Sequence, residues 1–164
     1  MKKISYLLIS LILLLNISAC TGYKPIFSSS NIEFKITDYS ITGDKKLGNQ
    51  IYSKLYNLSQ TTKNTSEVKN IYILINVIKE KKATAKNSAG KILAYKINLS
   101  TTVIVKNITT GNQILNENFA PSSSYKVQDQ YSETVKLENR AIEDLINKTY
   151  QDLLIKLSEK MQTI

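Results

Sequence analysis

Histidine and tryptophan are both absent from the 164 residues, and there are only one cysteine, two prolines and five glycines. Each shortage excludes a class of chemistry. Without histidine the commonest general base is gone, and so are every Ser-His or Cys-His nucleophile pair and the commonest metal ligand. A single cysteine permits no intrachain disulfide and no cysteine-based zinc or iron–sulfur set. None of the glycines stands at the spacing of a phosphate-binding loop. The sequence therefore does not read as an enzyme, and no cofactor is expected. Acids are scarce as well, 13 against 22 basic residues, for a formal net charge of +9. The length suits one domain, and a hydrophobic content of 42% is too high for a chain disordered throughout.

What is present begins with a leader. Lys2 and Lys3 precede an apolar run from Tyr6 to Leu15, broken only by Ser10, and the small residues Ser18 and Ala19 lead into Cys20. A basic start, a short apolar stretch and a small-residue end describe a secretory signal peptide over 1–19. A membrane-spanning anchor would need about 20 apolar residues, and Asn16 ends this run at roughly half of that. Ile17-Ser18-Ala19-Cys20 resembles the bacterial lipobox, in which the cysteine thiol accepts a diacylglycerol and becomes an acylated N-terminus after cleavage. Several acyl chains hold a protein stably to a membrane where one would not. Thr21, rather than Asp, favours sorting to the outer membrane, so the expected place is lipid-anchored there and facing the periplasm. Residues 20–31, with Pro25 and the run Ser28-Ser29-Ser30, read as a tether, and 32–164 as a single folded domain.

Periodicity predicts the elements of that domain. Ile32, Phe34 and Ile36 alternate with polar residues, a half-buried strand. Gly43-Asp44 gives a turn and a helix cap, and Leu47, Ile51, Leu55 and Leu58 predict a helix over 45–59. Val68 to Lys79 is β-branched, with Ile71, Ile73, Ile75 and Val77 on one face. Turn chemistry at Lys86–Gly90 leads to the cleanest alternation, Leu93 to Lys106, and Thr109-Thr110-Gly111-Asn112 turns it into a strand over 113–119. Pro121 breaks that strand, with a continuation at Tyr125–Val127. An apolar stripe from Leu137 to Met161 predicts a long helix over 132–161 capped by Ser132. The order is β-α-β-β-β-α. It implies an α/β two-layer sandwich, with two helices packed on one face of a mainly antiparallel four-stranded sheet.

Two features stand out from this frame. Lys79, Lys81, Lys82, Lys86 and Lys91 surround the turn between the second and third strands, opposed there only by Glu80. Such a patch suits phosphate-bearing partners; it also suits a hairpin kept soluble by lysines that discourage edge pairing. Export argues against nucleic acid, and no nucleic-acid-binding motif is present. The second feature is tyrosine, ten in number. Tyr23, Tyr125 and Tyr131 fall outside the predicted element cores, where an amphipathic ring suits an interface, whereas Tyr72 and Tyr95 fit half-buried strand positions.

The chain resembles LptE, the lipopolysaccharide-assembly lipoprotein family. Cys20-Thr21-Gly22-Tyr23-Lys24-Pro25-Ile26-Phe27 is similar to the Cys-Gly-aromatic-x-Pro opening of that family, with Thr21 inserted. Ala89 to Ile97 looks like its hairpin and third strand, and Ser123-Ser124-Tyr125 followed by the long helix looks like its C-terminal part. The resemblance implies two helices on a four-stranded sheet. It also implies partnership with an LptD-type outer-membrane β-barrel, aid in that barrel's assembly, and binding of lipopolysaccharide on its way to the surface. The residues that would meet lipopolysaccharide are Lys86 and Lys91, with Lys81, Lys82 and Lys126 behind them; Cys20 would carry the lipid. Two other classes stay open: an accessory lipoprotein of another envelope barrel or transporter, and a histidine-free hydrolase using Ser and Lys.

Overall fold

In the computed structural model, which describes residues 34–60 and 68–162, the first alternating run becomes strand β1 (Phe34–Gly43). Phe34 and Ile36 are buried. The phase then slips at an irregularity between Ile36 and Asp38, which brings Tyr39 and Ile41 onto the side that Phe34 and Ile36 occupy. Alternation read from the sequence stops at this slip, which is why β1 is longer than Ile32–Thr37. Gly43 ends the strand at φ +73°, where a Cβ would lie 2.1 Å from the Val77 carbonyl oxygen. Helix α1 (Lys45–Gln60) follows, capped by the Asp44 carboxylate, which accepts from the Leu47 N–H at 3.1 Å. Leu47, Ile51 and Leu55 are its buried stripe.

The helix carries the chain to β2 (Lys69–Lys86), which pairs with β1 in parallel, Phe34 opposite Lys69 and Gly43 opposite Val77. A strand-helix-strand crossover makes that orientation natural. The rest of the sheet is antiparallel. β3 (Ile92–Asn107) is its longest-paired member, bound to β2 along its length. On its other side it takes β4 (Gln113–Phe119) against Thr101–Lys106 and β5 (Ser122–Lys126) against Ala94–Asn98. These two short strands run in one line, parted at Ala120-Pro121. Proline has no N–H for the ladder, but its carbonyl accepts from the Leu99 N–H at 3.0 Å, so the line is bridged. The sheet order is β1-β2-β3-β4, with β5 beside β3.

Helix α2 (Tyr131–Gln162) completes the fold. It starts before Ser132, which therefore lies inside the helix and is not its cap. The hydroxyl of Thr134 instead accepts from the Gln128 N–H at 2.8 Å, tying the incoming loop to the first turn. Ile71, Ile73, Ile75 and Val77 of β2, with Ile97, Leu99, Val103 and Val105 of β3, meet Ile51, Leu55, Leu145, Ile146, Leu153 and Leu157 of the helices. Each such side chain contributes about 1.5–3 kcal/mol by leaving water. The architecture is the expected α/β two-layer sandwich, with the fourth strand in two pieces. The other sheet face is polar or half-buried, with Asn76, Asn98, Ser100, Thr102 and Ile104 on it. Its hydroxyl and amide groups bond to one another, as in Thr42 to Asn76 at 3.1 Å and Ser100 to Asn118 at 3.2 Å.

Candidate functional site

The lysine-rich segment is strand rather than loop. β2 continues to Lys86 because β3 supplies partners throughout: Lys79 stands opposite Leu99, Lys81 opposite Ile97 and Lys82 opposite Lys96. Alternation then divides the lysines between the two faces.

On the helix face Lys81 joins a partly exposed cluster. Its Nζ lies 2.6 Å from Glu138 Oε2 on α2 and 4.3 Å from the centre of the Tyr95 ring. The hydroxyl of Tyr125 donates to the same carboxylate oxygen at 2.8 Å, and the rings of Tyr95 and Tyr125 stack at 5.8 Å. Tyr125, expected at an interface, is buried instead. Burial pushes the Glu138 carboxyl up, but the hydrogen bonds from Lys81 and Tyr125 outweigh it and hold the group below the usual carboxylate range. Burial likewise lowers Lys81, and its bonds to Glu138 and Tyr125 reverse that and hold it above the ordinary value. For Tyr125 burial leads and raises the phenol. The cluster ties β2, β3 and β5 to α2, and it occupies the charge of Lys81 with a built-in counter-ion.

The opposite face carries a row of lysines. Lys82 and Lys96 face each other across β2 and β3, and Lys126 of β5 sits one diagonal step beyond Lys96, whose own partner is Ser124. Directly opposed residues are about 5 Å apart and diagonal ones about 7–8 Å. Lys82 has Glu80 at 2.9 Å. Lys96 and Lys126 have no ion pair among the described residues. Like charges set directly opposite each other weaken a sheet, so an anion laid across this row would stabilise it. Lys96 was not legible as a member from the sequence, since only the β2–β3 register puts it beside Lys82. Its signal was its place in phase with Ala94 and Asn98 on the third strand.

Lys86 and Lys91 flank the turn at the tip. The Asn87 side chain accepts from the N–H groups of Ala89 and Lys91 at 3.1 and 2.9 Å, and Gly90 takes φ +81°. This fixes the turn and leaves both lysines exposed. The structure thus splits the expected set: Lys82 and Lys126 share a platform with Lys96, Lys86 and Lys91 stand at the tip, and Lys81 faces α2. Cys20 lies outside the described residues. Between the helices a groove of about 690 Å³ is floored by Leu47, Ile142 and Ile146 and rimmed by Lys46, Lys54, Lys79, Asp44, Glu138 and Glu143. Its charges of both signs give it no preference. Among the described residues no acidic or cysteine cluster could hold a metal, and no helix is long and apolar enough to cross a membrane.

Solved structures share this arrangement. Rare lipoprotein B from Shewanella oneidensis superposes with a TM-score of 0.55 at 11% identity, over 77% of this chain and 97% of that one. Lipoprotein B from Nitrosomonas europaea gives 0.59 at 14% identity, over 86% and 93%. The chain has the rare lipoprotein B fold. A minor lipoprotein from Acinetobacter baumannii matches as well, with a TM-score of 0.52 at 15% identity over 76% and 92%. This is the LptE-type fold that the sequence resembles, and the likeness is one of fold. No family model matches the chain, and no curated protein does.

Proposed function

We propose that this chain is a non-catalytic envelope lipoprotein, lipidated at Cys20 and held at the outer membrane on its periplasmic side. There it partners an LptD-type β-barrel, aiding the barrel's assembly and the transport and insertion of lipopolysaccharide. The observation that carries the reading is the rare lipoprotein B fold on a chain that opens with a lipobox-like leader. The surface agrees with it physically. A sheet face lined with hydroxyls, amides and lysines suits the polar lumen of a large barrel, and the Lys82-Lys96-Lys126 row with Lys86 and Lys91 beyond it suits the phosphates of lipopolysaccharide.

A mild-detergent pull-down of the tagged, lipidated chain, with mass spectrometry of what stays bound, tests the partnership. A stoichiometric LptD-type barrel is the expected result; another barrel or a transporter would replace the reading with that of an accessory subunit elsewhere. Lipopolysaccharide binding is tested separately by reversing Lys82, Lys96 and Lys126 to Glu. At about 1 kcal/mol for each lysine near an anionic surface, affinity should fall on the order of a hundredfold at low salt. Lys148→Glu, on the exposed side of α2, should leave it nearly unchanged.

A further inference from the structure

Strand β1 accompanies β2 only as far as Val77, where Gly43 is its partner. The chain then turns away into α1, and the Asp44 N–H closes the pairing with a 2.7 Å bond to the Val77 carbonyl. That bond fixes the side to which odd-numbered β2 residues turn their backbone groups. Glu80 and Lys82, like the other even residues, spend theirs on β3, whereas Lys79, Lys81 and Ala83 point their N–H and C=O groups to the side β1 has vacated. Among the described residues no other strand or side chain takes them. The segment is exposed throughout, and Ile78, at its start, keeps 52% of its surface in water.

We infer that this open edge of β2 accepts an extended acidic segment of another protein as an added strand, continuing the line of β1 beyond Gly43. Main-chain hydrogen bonds would hold the segment in register, and alternate side chains would give the preference. Its acids would meet Lys79 on the helix face and Lys82 on the open face, with Lys86 close to its end; a β-branched residue would cover Ile78. Charge selects the occupant. A second copy of this chain, added edge to edge, would bring one lysine-rich row against another, and lysines at an edge discourage such pairing. An acidic strand turns the same charges into attraction. The inference stands on the strand pairing and charge alone and does not rest on the proposed function.

Amide hydrogen exchange of the full lipidated chain in detergent micelles tests this, with the peptide Val-Glu-Thr-Thr-Glu-Thr as the probe, whose valine and second glutamate fall on the face of Ile78 and Lys82 and whose first glutamate falls on the face of Lys79. At a peptide concentration about ten times its Kd, the Lys79, Lys81 and Ala83 amides should exchange about tenfold more slowly. The Glu80 and Lys82 amides, already bonded to β3, should change little. Ala83→Pro removes one edge N–H without touching the β3 ladder and should abolish the slowing at Lys79 and Lys81. The double variant Lys82→Glu, Lys86→Glu should weaken it at low salt with the backbone unaltered. Absence of binding, slowing without the odd–even pattern, or slowing that follows the chain's own concentration without peptide would each overturn the inference.

Discussion

Thr101 is fully buried between β2 and β4 partners, and its hydroxyl has no hydrogen-bond partner among the described residues. A buried, unsatisfied hydroxyl costs about 1–3 kcal/mol. Valine has nearly the same shape and suits a strand. Thr101→Val is therefore expected to raise stability by about 1 kcal/mol, read as a higher midpoint in urea with an unchanged slope. Thr149, buried on α2, behaves oppositely, since its hydroxyl donates to the Leu145 carbonyl at 2.9 Å and is satisfied. The Lys81–Glu138 pair belongs to the same scale. Glu138 is held below its ordinary value, so its contribution is present above the unfolded value of about 4.3 and is lost as pH falls through the folded value. Lys81 is held above its ordinary value, so its share is present below about 10.4 and is lost as pH rises through the folded value. Glu138→Gln should lower stability by about 1 kcal/mol near neutral pH, and the difference from the parent should shrink on acidification. A gap in thermal midpoint that persisted at low pH would show that the loss comes from packing rather than charge.

At the scale of the element, α1 packs closely on β1 at Gly48. A Cβ on Gly48 would stand 2.5 Å from Ile41 Cγ2, nearer than real atoms approach. Alanine in a helix is worth about 1 kcal/mol over glycine, yet overpacking costs about 1–3 kcal/mol. Gly48→Ala should thus be neutral to destabilising alone, and should become stabilising in an Ile41→Ala background; thermal melts of the four proteins read the coupling. The helices were the most legible elements, because their apolar stripes repeat over many turns: 45–59 and 132–161 lie within a residue of Lys45–Gln60 and Tyr131–Gln162. Strand 113–119 was legible because turn residues bound it on both sides. The reach of β2 to Lys86 was not, since its lysines carry no alternation and only the β3 register makes them strand. The same applies to the site. A basic cluster was visible in the sequence, but its division between two faces, the capture of Lys81 by Glu138 and the membership of Lys96 all depend on register and on a helix more than fifty residues away.

At the scale of the molecule, the lysine row and the open backbone edge share one end of the sheet, where β2 runs on past β1. Lipopolysaccharide binding and strand addition would both use the basic end, through different groups: side chains on the open face for the first, backbone along the edge for the second. Raising salt should therefore weaken the first steeply and the second less, since hydrogen bonds between main chains are not screened; parallel titrations at low and high ionic strength would read the difference. The opposite end has a consequence of its own. Phe34, where the described chain enters, pairs with Lys69, and the Lys69 ammonium donates to the Met161 carbonyl near the end of α2 at 3.3 Å. Entry and exit are thus neighbours, while the turn at Asn87–Gly90 lies the length of β2 away, ~55 Å at about 3.3 Å per residue. A dye or affinity handle placed after α2 would therefore sit beside Phe34 and leave the turn at Asn87–Gly90 unencumbered.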